Sequence, residues 1–140
     1  MGWRARLGTS VAGVVGAGGL LASPAAAGTT GTITVTPATG LHDLQLVDVQ
    51  LVGPPNVGMI VMQCRNPITS VLSDCGGAFG VSTETGTYST KLYVHRAFES
   101  QNATDVECIS ASPCALTLWL APPGATFPTL ADIAPISFSK

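Results

Sequence analysis

The sequence predicts an all-β protein, an antiparallel sandwich of about seven short strands. Three observations carry this. Beyond the N-terminal segment, β-branched and apolar residues alternate with polar ones in short runs, with no sustained helical period. Gly (16) and Pro (10) punctuate those runs at close intervals in a chain of 140 residues, so the connections are turns rather than crossover helices. Four cysteines fall into two local pairs, Cys64 with Cys75 and Cys108 with Cys114, without the Cys-x-x-Cys spacing of a zinc or redox site.

The first element is a leader. Arg4 and Arg6 precede an uncharged, apolar stretch from Leu7 to Leu21; Ser23-Pro24 breaks it, and Ala25-Ala26-Ala27 offers small residues for cleavage before Gly28. Read as a membrane span, the stretch is weak, being rich in Gly and Ala and interrupted by Thr9, Ser10 and Pro24. Residues 1–27 are therefore expected to be a signal peptide. Residues 28–140 are expected to form one secreted, extracellular domain with no stable membrane association after cleavage.

Thr32–Thr36 alternates Ile33 and Val35 with threonines and stops at Pro37 and Gly40. Leu44–Val52 starts with Leu44 and Leu46 on one face, then shifts to Val47, Val49 and Leu51, a change of phase that predicts a β-bulge. Pro54-Pro55-Asn56 turns the chain into the apolar run Met59–Met62, whose methionines read as core filler. Phe79 and Val81 give a brief strand before Thr85-Gly86. Thr87–His95 sets Tyr88, Thr90, Leu92 and Val94 against Ser89, Lys91, Tyr93 and His95. Cys108-Ile109 and Cys114–Leu120 flank the second cysteine loop; Leu116, Leu118 and Leu120 oppose Thr117 and Trp119. Ile136 and Phe138 close the chain as a final strand.

Spacing alone leaves all three pairings of four cysteines open. If the pairs are local, they clamp loops instead of joining two sheets, and each closure contributes about 2–3 kcal/mol by chain entropy.

Without the leader, four basic side chains stand against eight acidic ones, a net charge of −4. Arg65, Lys91, Arg96 and Lys140 form no cluster in the chain, so direct binding to a nucleic-acid backbone is not expected. His42 and His95 are the only histidines, too few for a metal site once the cysteines are paired, and no metal is expected. No Gly-x-Ser-x-Gly elbow occurs and the Ser and Asp residues are scattered, so no catalytic residues and no enzyme activity are expected. Asn102-Ala103-Thr104 fits a glycosylation triplet, a pattern too short and common to carry a role.

Several segments, in order, resemble the neocarzinostatin family, the secreted actinomycete apoproteins that carry enediyne chromophores. Thr34-Val35-Thr36-Pro37 with Gly40-Leu41 resembles the family's first strand and turn, and Gln63-Cys64 its approach to the first disulfide. Thr90–Glu99 resembles the long central strand with its Arg-x-Phe-Glu ending; Asp105–Cys108, the short loop to Cys114 and Ile136-Ser137-Phe138 complete the pattern. The resemblance implies a seven-stranded immunoglobulin-like sandwich with two local disulfides, Cys64–Cys75 and Cys108–Cys114. It also implies a cleft between the sandwich and a smaller ribbon subdomain. Such a cleft shields an apolar aromatic cargo, and the antibiotic, DNA-damaging action belongs to the cargo, so nucleic acid is a partner only indirectly. No cofactor is implied other than a non-covalently bound enediyne-type chromophore, and the protein is expected to be a monomer.

The chain also departs from the family pattern. Arg65-Asn66-Pro67 follows the first cysteine where chromophore-holding members tend to place a Trp, and the Ser100–Glu107 loop has no aromatic residue. These departures motivate an alternative function, an extracellular protein-interaction module on the same fold that has lost chromophore binding. For the carrier, the expected ligand wall is Leu72, Phe79 and the Cys64–Cys75 disulfide, with Ser112 and Pro113 in the neighbouring loop; the competing reading of Phe79 is plain core. Desolvation would drive such binding at about 25 cal/mol per Å² of apolar area. Trp119, on the polar face of an apolar strand, is read as core or end packing before a ligand-facing or partner-facing role. His95, beside Arg96, reads as a solvated surface residue.

Overall fold

Buried and exposed residues alternate strictly along β1 (Thr32–Thr36) and β2 (Gln45–Val52), which pair antiparallel with Ile33 opposite Leu51 and Val35 opposite Val49. The computed structural model to which they belong describes residues 30–139, and the leader expected over residues 1–27 lies outside the described residues. Strand β5 (Thr87–Val94) adds to the other side of β2, giving a three-stranded sheet in the order β1-β2-β5.

The second sheet has four strands in the order β4-β3-β8-β9, all antiparallel: β3 (Gly58–Arg65), β4 (Cys75–Val81), β8 (Cys114–Ala121) and β9 (Thr129–Ile136). The two sheets supply the seven expected strands of the immunoglobulin-like sandwich. Between them lie Val47, Val49 and Leu51 from one side and Met59, Val61, Leu116, Leu118 and Leu120 from the other, with Leu41, Val94 and Ile136 at the ends.

At the margin where β1 approaches β9, the Asp132 carboxylate accepts a hydrogen bond from the Ile33 N–H at 2.9 Å. A backbone donor on the outer strand is thereby satisfied and the edge is blunted against further pairing. At the β4→β5 turn, Gly86 has φ +79° and packs so closely on Gly53 that a Cβ would stand 2.1 Å from the Gly53 carbonyl oxygen. Only glycine satisfies both constraints.

A two-stranded ribbon, β6 (Ala97–Glu99) with β7 (Asp105–Glu107), stands apart from both sheets. Phe98 and Val106 anchor it to the main core. Gln63, buried on β3, fixes its base: Nε2 donates to the His95 carbonyl at 2.6 Å, and Oε1 accepts from the His95 N–H at 3.0 Å. The His95 backbone is thus structural, and the residue is half-buried instead of fully solvated.

Both disulfides form locally, Cys64–Cys75 and Cys108–Cys114. Cys64 lies directly opposite Cys75 in the β3·β4 ladder, so the first bridge is a cross-strand staple. Three further expectations are corrected. The phase change near Leu44 is not a bulge: Leu44 precedes β2 with φ 62°, its N–H donating to the Val94 carbonyl, and β2 keeps an unbroken register. The register shifts fall instead in β3·β4 at Val61/Gln63 and in β8·β9 at Leu118/Trp119. The last strand begins at Thr129 and ends at Ile136, Phe138 making only a bridge to Leu41. Cys108-Ile109 is not a strand; β7 ends at Glu107, and Ile109 bridges to Ser112.

Candidate functional site

Strand β8 is buried along both faces, which requires a second apolar layer outside the sandwich. Ala115, Thr117 and Trp119 point away from the main core, and their partners across β3 are Cys64, Met62 and Ile60. Met62, Cys64, Cys75 and Trp119 form a separate buried cluster, with Ile60, Ile68 and Val71 packed against it. The two methionines of the apolar run therefore part company, Met59 entering the main core and Met62 this one.

The segment joining β3 to β4 forms one wall. It contains a single helical turn, α1 (Val71–Asp74), which the sequence reading missed. Four residues cannot sustain a helix alone. This turn is held by the Asp74 carboxylate, which accepts from the Thr69 N–H at 2.7 Å, the Thr69 hydroxyl at 3.0 Å and the Ser70 N–H at 2.9 Å. Burial of Asp74 raises its pKa, but the Ser70 and Thr69 donors, and lastly Arg65 at 4.0 Å, together outweigh that effect, so the carboxyl lies below its ordinary range.

The ribbon tip forms the other wall and meets the first. The Gln101 N–H donates to the Cys75 carbonyl and the Asn102 N–H to the Leu72 carbonyl, both at 3.0 Å. Asn102 Nδ2 donates to Ser73 Oγ at 3.0 Å, and Gln101 Nε2 reaches Met62 Sδ at 3.4 Å. Gly76 permits this approach, since a Cβ there would lie 2.5 Å from the Glu99 carbonyl oxygen. The result is a small apolar compartment floored by the four-stranded sheet, stapled by a disulfide, and flanked by α1 and the ribbon.

The expected wall residues do not all meet there. Cys64 and Cys75 do, fully buried. Leu72 lies on α1 beside the compartment, 58% exposed. Phe79 pairs with Val61 and so faces the opposite side of the sheet, where its ring stacks on Tyr88 at a centroid distance of 6.0 Å; this is the core-side placement. Ser112 is tied to Ile109 by two backbone hydrogen bonds, and the Pro113 carbonyl accepts from the Asn66 N–H at 2.8 Å, placing this loop at the root of the α1 wall. Sequence reasoning missed Met62 and Thr117 as floor residues. Trp119 was assigned to the correct face of β8, but nothing in the alternation revealed that this face is also covered.

A depression of about 460 Å³ lies on the outer face of the other sheet, bordered by Thr36, Asp48, Gln50, Ser89 and Lys91. Val49 and Thr90 also border it, but the Lys91–Asp48 ion pair and the Thr36, Gln50 and Ser89 side chains place charge and hydrogen-bonding groups on its lining. The apolar compartment is the better candidate for aromatic cargo.

Fold and site together define a disulfide-stapled immunoglobulin-like sandwich with a ribbon leaning over the outer face of its larger sheet. A model of the neocarzinostatin family matches residues 33–130, and the chain belongs to that family. Among solved structures it is similar to macromomycin, at 27% identity and a TM-score of 0.60 over 79% of this chain and 100% of that one. It also matches apokedarcidin at 22% identity and a TM-score of 0.49, covering 79% and 99% of the two chains. No curated protein sequence matches it significantly.

Proposed function

We propose that this protein is a secreted, non-enzymatic carrier that holds an apolar aromatic small molecule, of the enediyne-chromophore type, between the four-stranded sheet, α1 and the ribbon. The observation that carries this reading is the second apolar cluster built around Cys64–Cys75, outside the main core and under two short walls. A sandwich needs no such layer for its own closure. Its apolar floor repays burial of an aromatic guest at about 25 cal/mol per Å². A disulfide-stiffened site loses little entropy on binding. Family membership supports the same reading. Residues 1–27 serve as the signal peptide in this reading, residues 28–140 are the carrier domain, and any effect on DNA belongs to the cargo.

Of the sequence-derived wall, Leu72, Cys64, Cys75, Ser112 and Pro113 remain proposed contacts or supports, whereas Phe79 would act from the core side. The test is native mass spectrometry of the protein recovered from its producer's medium. A non-covalently retained apolar aromatic ligand is the expected result; a ligand-free protein under conditions that preserve weak complexes counts against carriage.

A second reading, an extracellular protein-interaction module, is favoured by a different observation. Leu46 and Tyr93 pair across β2 and β5 on the outer face of the three-stranded sheet, 44% and 62% exposed, with Leu44 nearby at 58%. Recovery of a specific protein partner that is lost on Tyr93→Ser substitution would support it.

A further inference from the structure

Between the outer face of the four-stranded sheet and its walls, the space is already filled by an aromatic ring. The Trp119 indole is 7% exposed, lies opposite Ile60 in the ladder and packs in the cluster with Met62 and Cys64–Cys75, while Ile68 and Val71 cover that cluster. Its Nε1–H donates to Thr117 Oγ1 at 2.7 Å, and the Thr117 hydroxyl in turn donates to the Met62 carbonyl at 2.9 Å. A flat bicycle with one hydrogen-bond donor thus occupies the compartment, satisfied on its faces and at its N–H.

We propose that Trp119 is the specificity-determining residue of this site. Its indole is an internal occupant, and a guest must compete with it for the same volume. This inference rests on the carrier reading and deepens it. The guest class follows from the occupant: a bicyclic aromatic carrying a single O–H or N–H that can take over the Thr117 Oγ1 acceptor when the indole leaves. A guest without a donor leaves that buried oxygen short of a partner and binds less well. A larger polycycle requires Met62 to yield as well, together with the Gln101 side chain resting on it.

The experiment compares the purified secreted protein with its Trp119→Val and Trp119→Phe variants, using 2-naphthol and 2-methoxynaphthalene as probes in isothermal calorimetry. Valine is β-branched and suits a strand while vacating the ring volume; phenylalanine keeps most of the volume and loses the donor. Trp119→Val is expected to bind 2-naphthol at least about tenfold tighter than the unaltered protein, and to prefer it over the methyl ether by about fivefold or more. Trp119→Phe is expected to gain much less.

In the unaltered protein, saturating 2-naphthol should shift the Trp119 indole N–H resonance and strip its protection from hydrogen exchange. This second measurement decides the matter alone if Trp119→Val does not fold. Equal affinity for the unaltered protein and a folded Trp119→Val, or saturable binding with the indole resonance unmoved, overturns the competition while leaving carriage intact. Absence of probe binding to a folded Trp119→Val also overturns it, and carriage then still stands or falls on the native ligand.

Discussion

Replacing Thr117 with valine removes one oxygen atom and almost no volume, yet that oxygen serves two buried groups. Its hydroxyl accepts from Trp119 Nε1 at 2.7 Å and donates to the Met62 carbonyl at 2.9 Å, and the residue is completely shielded from solvent. Each buried polar group left without a partner costs about 1–3 kcal/mol, so with two groups affected Thr117→Val should destabilise the protein by about 2–6 kcal/mol. The described domain is 110 residues long, from 30 to 139. At about 2.1 cal/mol/K of unfolding entropy per residue, that loss lowers Tm by about 9–26 °C. Thermal unfolding followed by far-UV circular dichroism reads the shift. Thr117→Ser keeps the hydroxyl and loses a methyl group, so it should fall by about 1 kcal/mol or less. A Thr117→Val protein melting within about 3 °C of the unaltered one, or a serine variant melting as low as the valine variant, would refute the claim that this hydroxyl organises the second cluster.

Asp74→Asn removes the charge that draws three donors together, and should lower stability at neutral pH by about 1–3 kcal/mol in urea titrations. Because the folded pKa of Asp74 lies below its unfolded value, its contribution is present above the unfolded pKa, about 3.9, and is lost as pH falls through the folded one. The variant's deficit should therefore shrink below about pH 4; a deficit independent of pH would contradict the assignment. Gly76→Ala places a methyl group where the Glu99 carbonyl stands, and should displace the ribbon, seen as faster amide exchange at Gln101 and Asn102 with the sheet core still protected. Joint replacement of Cys64 and Cys75 by alanine should cost about 2–3 kcal/mol from loop entropy, somewhat more than the shorter Cys108–Cys114 loop; the reverse order, read from denaturant midpoints, would argue against that account.

The sandwich was legible wherever one strand face is solvated. Along β1, β2 and β5, threonines and charged residues mark the outside, so period-two alternation gives both the strand and its inward residues. Strand β9 escaped because Ala131, Asp132, Ala134 and Pro135 are poor strand formers, held in place by pairing with β8 and by the Asp132 contact to β1. The turn α1 escaped because its stability comes from the Asp74 carboxylate reaching back to Thr69 and Ser70, not from propensity. Phe79 was placed with the disulfide because, just past Cys75, it resembles a cleft phenylalanine of the family. The shift in β3·β4 register between Val61 and Gln63 separates the residue beside Val61 from the disulfide, and that irregularity has no signature in the chain.

By itself, the order of residues determined the fold class, the partnership of the cysteines through family resemblance, and the inward faces of most strands. These are local properties, fixed by side-chain period, turn chemistry and spacing. Only the tertiary structure decided that the far face of β8 is covered, that Met62 and Trp119 share one compartment, and that the ribbon closes over it. Burial of that face depends on segments some 20 to 50 residues away folding back onto the sheet, and no local pattern records what will lie on top of a strand.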